Sequence, residues 1–120
     1  MSIYIINESN FMRHKITLPQ LKKYDITQKV ITALADAESR VILFSIIRKG
    51  KTASELSSSL KIPLSSVYKK LSDLENLTLV RIEKTILSEK GRRFKVYRSR
   101  INKAEISIKK PEPTLSLSAN

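Results

Sequence analysis

Residues 52–71 read Thr-Ala-Ser-Glu-Leu-Ser-Ser-Ser-Leu-Lys-Ile-Pro-Leu-Ser-Ser-Val-Tyr-Lys-Lys-Leu, and two helices joined by a tight turn are written in them. Thr52 and Glu55 form a Thr-x-x-Glu capping box that opens the first, with Ala53, Leu56 and Leu60 facing inward. Lys61-Ile62-Pro63 ends it, because the residue before a proline is pushed out of the helical region, and Ile62 becomes the buried residue of the turn. Pro63 also starts the second helix, where its missing N–H costs nothing. Val67, Leu71 and Leu74 mark an inner stripe at i, i+4 and i+7. Rotation by about 100° per residue puts Ser65, Lys69, Ser72 and Asn76 on the opposite face, with Ser66 and Tyr68 on its flanks.

That outer face is small, polar and basic. Short hydroxyls allow close approach to bases, Lys69 reaches a guanine edge or a phosphate, and Tyr68 donates to a phosphate or packs on a thymine methyl. An ordinary amphipathic surface helix explains this helix alone equally well. Its place two residues after another short helix favours a DNA-reading helix-turn-helix. The run Ser57-Ser58-Ser59 falls on the outer side of the first helix, solvated or with one hydroxyl set for a phosphate contact.

Downstream the period changes to two. Val80, Ile82 and Ile86 alternate with Arg81, Glu83 and Thr85, and Phe94 and Val96 alternate with Arg93, Lys95 and Tyr97. Two strands joined across residues 88–92 make a hairpin, with Gly91 free to take positive φ at the turn. Lys90, Arg92 and Arg93 cluster at its tip, which suits it to lie along a backbone or to place an arginine in a narrow minor groove. Lysine on an edge hairpin also discourages aggregation, but that accounts for one or two charges better than three.

The charge distribution agrees. The chain has 120 residues and a net charge of +12, room for one core and no second domain of ordinary size. Residues 61–110 hold fourteen Lys/Arg against five Asp/Glu, whereas residues 1–60 hold nine against five. A localised basic region draws a polyanion through electrostatic attraction and counterion release. There is no cysteine, hence no disulfide, thiolate zinc site or thiol chemistry. The single histidine, His14, reads as an exposed N-terminal residue and cannot build a metal site alone. With two glycines, no phosphate-binding loop, no partnered nucleophile and carboxylates mostly at helix caps, neither an enzyme nor a cofactor is expected. No basic n-region precedes the first apolar residues and Val41–Ile47 is too short to span a bilayer, so a soluble, cytoplasmic, nucleoid-associated protein is expected, with no membrane partner.

Upstream, Ile3, Ile5 and Ile6 suggest a short strand, and Pro19 a helical turn through Leu21. Asp25 with Gln28 suggests a cap for a helix over Thr27–Ala35 carrying Val30, Ile31 and Leu34. Asp36 reads as the N-cap of the next helix, over Ala37–Lys49, which is apolar on all sides from Val41 to Ile47 and must be covered on more than one of them. Arg48-Lys49-Gly50 closes it, with the glycine suited to a left-handed cap.

From about Leu34 to Arg100 the chain resembles the winged helix-turn-helix of prokaryotic transcription regulators of the arsenical-resistance-repressor (ArsR)-like superfamily, archaeal members in particular. The resemblance rests on Leu34-Ala-Asp-Ala-Glu-Ser-Arg-Val-Ile-Leu, Ala53-Ser-Glu-Leu, Ile62-Pro-Leu-Ser-Ser-Val-Tyr-Lys-Lys-Leu, Leu74-Glu-Asn-Leu-Thr-Leu-Val and Gly91-Arg-Arg-Phe-Lys-Val-Tyr-Arg. It implies a double-stranded DNA binder, usually a homodimer on a pseudo-palindromic operator, with Ser65, Ser66, Tyr68 and Lys69 at recognition-helix positions. The family's metal sensors use cysteine and histidine clusters, so metal sensing is not implied. Thr78 stands where a glycine usually ends the recognition helix; in a left-handed conformation threonine costs roughly 1–2 kcal/mol. In place of a dimerising C-terminal helix, Ala104–Lys110 reads as a strand.

The expected fold is therefore α+β and mainly helical: three to four helices and a C-terminal β-hairpin wing over residues 25–101. Residues 1–24 are an N-terminal extension, 102–110 an extra strand and 111–120 a disordered tail. The expected function is sequence-specific regulation of transcription, as a dimeric repressor without an identified effector. The alternatives are a sequence-tolerant chromosomal architectural protein and a winged helix protein-interaction module.

Overall fold

A single residue, Asp36, separates the first two helices. The computed structural model describes residues 3–7 and 18–120. Helix α1 (Leu18–Ala35) runs unbroken into it, and α2 (Ala37–Ser45) starts from it. The Asp36 carboxylate accepts from the Ser39 backbone N–H at 3.0 Å and from the Ser39 hydroxyl at 2.8 Å. The Arg40 guanidinium donates back to the carbonyls of Leu34 (2.8 Å) and Ala35 (2.9 Å), placing a cation where the dipole of α1 is negative. No helix starts at Asp25, because α1 begins at Leu18 and its backbone passes through that position. An aspartate inside a helix costs only about 0.7 kcal/mol. Burial of Thr27, Val30 and Leu34 along one stripe outweighs that.

Helix α2 is shorter than the sequence suggests. It ends at Ser45, with Ile46 as its C-cap. Ile42, Leu43 and Ile46 are fully buried, while Val41 and Phe44 remain 48% and 39% exposed. Gly50 is not a left-handed cap; among the described residues Gly91 is the only glycine with positive φ. Gly50 is required by close approach instead, since a Cβ there would meet Val96 Cγ1 at 2.7 Å and Glu83 Oε1 at 2.9 Å.

Strand β2 (Lys51–Thr52) leads into α3 (Ala53–Leu60), and α4 (Leu64–Asn76) follows after three residues. The capping box is present in both directions: Glu55 N–H donates to Thr52 Oγ1 at 3.2 Å and Thr52 N–H to Glu55 Oε1 at 3.1 Å. Lys61 takes the left-handed conformation (φ 56°) after α3, and Ile62 N–H reaches back to Ser57 O at 3.2 Å. Thr78 does the same after α4 (φ 60°). There Thr78 N–H donates to Glu75 O and Leu79 N–H to Leu74 O, both at 2.9 Å, the bonding pattern of a Schellman motif.

The wing is β3 (Val80–Leu87) and β4 (Arg93–Ser99), paired antiparallel, with β2 on the other edge of β4 in the order β2-β4-β3. The register slips between Ile82 and Lys84, so Glu83 is the bulged residue. After Arg100 the chain continues as β5 (Ile101–Ser107) and then β6 (Thr114–Ala119). With β1 (Ile3–Asn7) these form a second antiparallel sheet, ordered β1-β6-β5. The disordered tail expected over residues 111–120 is thus replaced by a strand. Its Leu115 and Leu117 are buried and join one core with Val30, Leu34, Ile42, Leu43, Leu56, Val67, Leu71 and Leu74. Thr-Leu-Ser-Leu-Ser-Ala alternates with period two, and pairing on both edges supplies what a solvated tail lacks. His14 lies outside the described residues.

Candidate nucleic-acid interface

Helix α4 turns Val67, Leu71 and Leu74 into the core, with none of them measurably exposed. That orientation fixes the opposite face. Ser65, Tyr68, Lys69, Ser72 and Asn76 are exposed and Ser66 is half-buried. Pro63 precedes the helix without a side-chain cap, so the first-turn amides of α4 are directed outward beside Ser65 and Ser66.

The wing leaves the body of the molecule beyond Lys84. Ile86 points inward in a simple alternation but is 43% exposed here, because the outer half of the hairpin has nothing packed against it. The tip is closed by Ser88 N–H to Arg92 O at 2.8 Å, Gly91 N–H to Ser88 O at 2.9 Å and Arg92 N–H to Ser88 Oγ at 3.0 Å. Gly91 has φ 79°, as the turn requires. Lys90, Arg92 and Arg93 are exposed there without a carboxylate within ion-pair distance among the described residues.

Between helices and wing lies a groove of about 210 Å³. Its walls are Thr52, Ala53 and Ser54 at the start of α3, Tyr68 of α4, and Arg93, Phe94, Lys95 and Tyr97 of β4. The Glu55 amide is taken by Thr52, but those of Ala53 and Ser54 have no intrahelical acceptor, and Arg93 and Lys95 line the groove with them. Chemically the groove suits a backbone phosphate, with the exposed Tyr68 hydroxyl as a further donor.

The structure brings Tyr68 and Arg93 to this groove and leaves Lys90 and Arg92 further out on the tip. Asn76 does not join them. It sits eleven residues after Ser65, about 16 Å along the helix, and lines a different groove. Two residues of this groove were not singled out by sequence. Lys95 shares a strand face with Arg93, a signal present in the alternation. Tyr97, expected to face outward with them, is instead buried, because the base of β4 is covered on both faces. Burial raises its hydroxyl pKa, with the Glu75 carboxylate and Tyr68 pushing the same way, so it stays neutral. The Ser57 hydroxyl is spent inside the turn, donating to Ile62 O at 2.6 Å, which removes it as a phosphate contact. Among the described residues no group of three or more His, Cys, Asp or Glu is placed to hold a metal ion, and no helix is long and apolar enough to cross a membrane.

No protein-family model matches the chain, and no curated protein does. Solved structures do match. Reduced HlyU from Vibrio cholerae superposes with a TM-score of 0.54 at 20% identity, over 69% of this chain and 81% of HlyU. NolR from Sinorhizobium fredii superposes with a TM-score of 0.55 at 19% identity, over 72% of this chain and 80% of NolR. At such identities the likeness is one of architecture. Four helices and an antiparallel hairpin wing among the described residues, with these two winged helix neighbours, define the chain's fold as a winged helix-turn-helix.

Proposed function

We propose that the chain is a DNA-binding transcription regulator of ArsR-like type. Helix α4 enters the major groove and the wing follows the adjacent backbone or minor groove. The observation that carries this is the meeting of Tyr68, Arg93 and Lys95 with the start of α3 in one groove. Ser65, Lys69 and Ser72 are exposed on the same helix as Tyr68, and Lys90 and Arg92 are exposed at the tip of the same hairpin as Arg93. In this reading, Ser65, Ser66, Tyr68, Lys69 and Ser72 face base edges and phosphates, and the wing cations contact the backbone. Asn76 stands at the far end of the helix and reaches at most the flanking backbone. A carrier of catalysis is not part of this reading.

A homodimer is the proposed assembly and repression the proposed outcome, as the sequence resemblance implies. Exposed Val41 and Phe44 on α2 supply apolar surface for a second copy. Two-fold symmetry then calls for two half-sites about one helical turn apart, or a multiple of it.

The test is selection of bound fragments from the source genome, followed by titration of a selected fragment and of random DNA over several salt concentrations. The regulator predicts a preference of about a thousandfold or more for the selected fragment. A steep salt dependence without that preference identifies an architectural protein, and little binding at physiological salt an interaction module.

A further inference from the structure

A second and larger groove, of about 790 Å³, opens at the C-terminal end of α4. That volume is in the range of small-molecule sites. Its accessible apolar lining is Ile26 of α1, 45% exposed, and half-buried Leu77, above a nearly buried floor of Val30, Leu79, Ile101 and Leu117. Its rim is cationic, carrying Arg81, Arg98 and Arg100 from the base of the wing and the junction with β5. One carboxylate answers two of these, since Glu83 Oε2 lies 2.7 Å from Arg98 Nη1 and 3.8 Å from Arg81 Nη2. The exposed Arg100 guanidinium has no carboxylate partner among the described residues. The Asn120 side-chain amide, also on the rim, donates to Ile47 O at 2.8 Å and Ser99 O at 3.0 Å, so its donors serve the fold.

Surplus guanidinium charge over an apolar floor selects the ligand's chemistry. A neutral apolar molecule would leave the arginines unanswered, and a polyphosphate would find no use for the floor. A planar carboxylate matches the guanidinium fork, and an alkyl chain matches the accessible Ile26 and Leu77 over the apolar floor. We propose that this groove binds a medium-chain amphipathic carboxylate, its head group on Arg100 and its chain on Ile26 and Leu77 over the apolar floor. The same groove is walled by residues 76–79, which end α4, and by the feet of both wing strands. Occupancy therefore bears on both DNA-contacting elements, a consequence that rests on the DNA reading above.

Octanoate is the probe, titrated by calorimetry into the full chain without DNA and below its micelle concentration. Saturable binding of one octanoate per chain is expected, at least tenfold tighter than 1-octanol. Arg100→Gln should weaken it at least tenfold while melting at the parent temperature, and Arg100→Lys should recover part of the loss. Absence of saturable binding overturns the proposal, and so does equal binding of 1-octanol or of Arg100→Gln. A parallel titration on a selected DNA fragment reads the coupling: a change of threefold or more in DNA affinity with saturating octanoate supports it, and no change removes it. A chain that binds no DNA leaves the calorimetric result standing.

Discussion

Lys70 Nζ lies 2.7 Å from Asp36 Oδ2, which ties α4 to the residue that caps α2. Glu38 approaches the same ammonium at 3.7 Å. The Lys70 and Ser39 hydrogen bonds hold the Asp36 carboxyl at about 2, below its ordinary 3.8, and the same contact raises Lys70. A carboxyl depressed in the folded state adds stability above pH 3.8 that is lost as pH falls toward about 2. The raised lysine adds stability that is complete below its ordinary 10.5 and lost above it. Asp36→Asn keeps a capping side chain but not the charge, so its urea midpoint should fall less than the parent's between pH 4 and pH 2, the lowered Glu55 and Glu105 carboxyls supplying the remainder. Asp36→Ala, which removes the cap as well, should be less stable than Asp36→Asn at pH 7. Equal pH profiles for parent and Asp36→Asn would count against the pair.

Thr78 carries a β-branched side chain at φ 60° while its neighbours complete the Schellman bonds. Thr78→Gly relieves that strain and lengthens the list of unfolded conformations, two opposed effects. The first is the larger, and a net gain of about 1 kcal/mol is expected in denaturant unfolding, with the m-value unchanged.

Leu115 has no exposed surface and belongs to the strand that occupies the expected tail. Leu115→Ala should cost about 2–5 kcal/mol, the range for a buried leucine, whereas a residue of a solvated tail would cost almost nothing. Chemical unfolding monitored by circular dichroism separates the two outcomes.

On DNA, Lys69→Ala and Ser66→Ala should weaken binding to a selected fragment and relax base preference, by about 1–3 kcal/mol for a base contact. Arg92→Ala and Arg93→Ala should weaken selected and random DNA alike, each lowering the salt slope by about one. Unchanged affinity in the two helix variants would remove α4 as the reading element. Titration by fluorescence anisotropy at three salt concentrations covers all four.

Features decided within one turn of chain were legible in the sequence. The Thr52/Glu55 box, the Asp36 cap, the inner stripe of α4 and the hairpin turn at Gly91 all depend on neighbours in sequence. Features decided by distant partners were not. Helix α1 extends back to Leu18 through an aspartate, β2 is only two residues long, and β6 is a strand because β1 and β5 flank it. The site divides the same way. Exposure of Ser65, Lys69 and Ser72 follows from helical spacing, whereas three assignments needed the fold. Ser57 is used up by Ile62, Tyr97 is covered from both sides, and Asn76 lines the groove at the other end of its helix.

The pairing of β1 with β6 sets Ile3 opposite Ser118, residues 115 positions apart in the chain. During synthesis β1 waits until residues 114–119 are made before the strand it pairs with exists. The helices and wing rest on contacts much closer in sequence, and topology of that kind forms quickly. The expected order is therefore helices and wing first, with the shared core finished only when β6 joins it and β1 closes the second sheet. In pulse-labelled refolding of the full chain, the amides of α3 and α4 should gain protection from hydrogen exchange before those of β1.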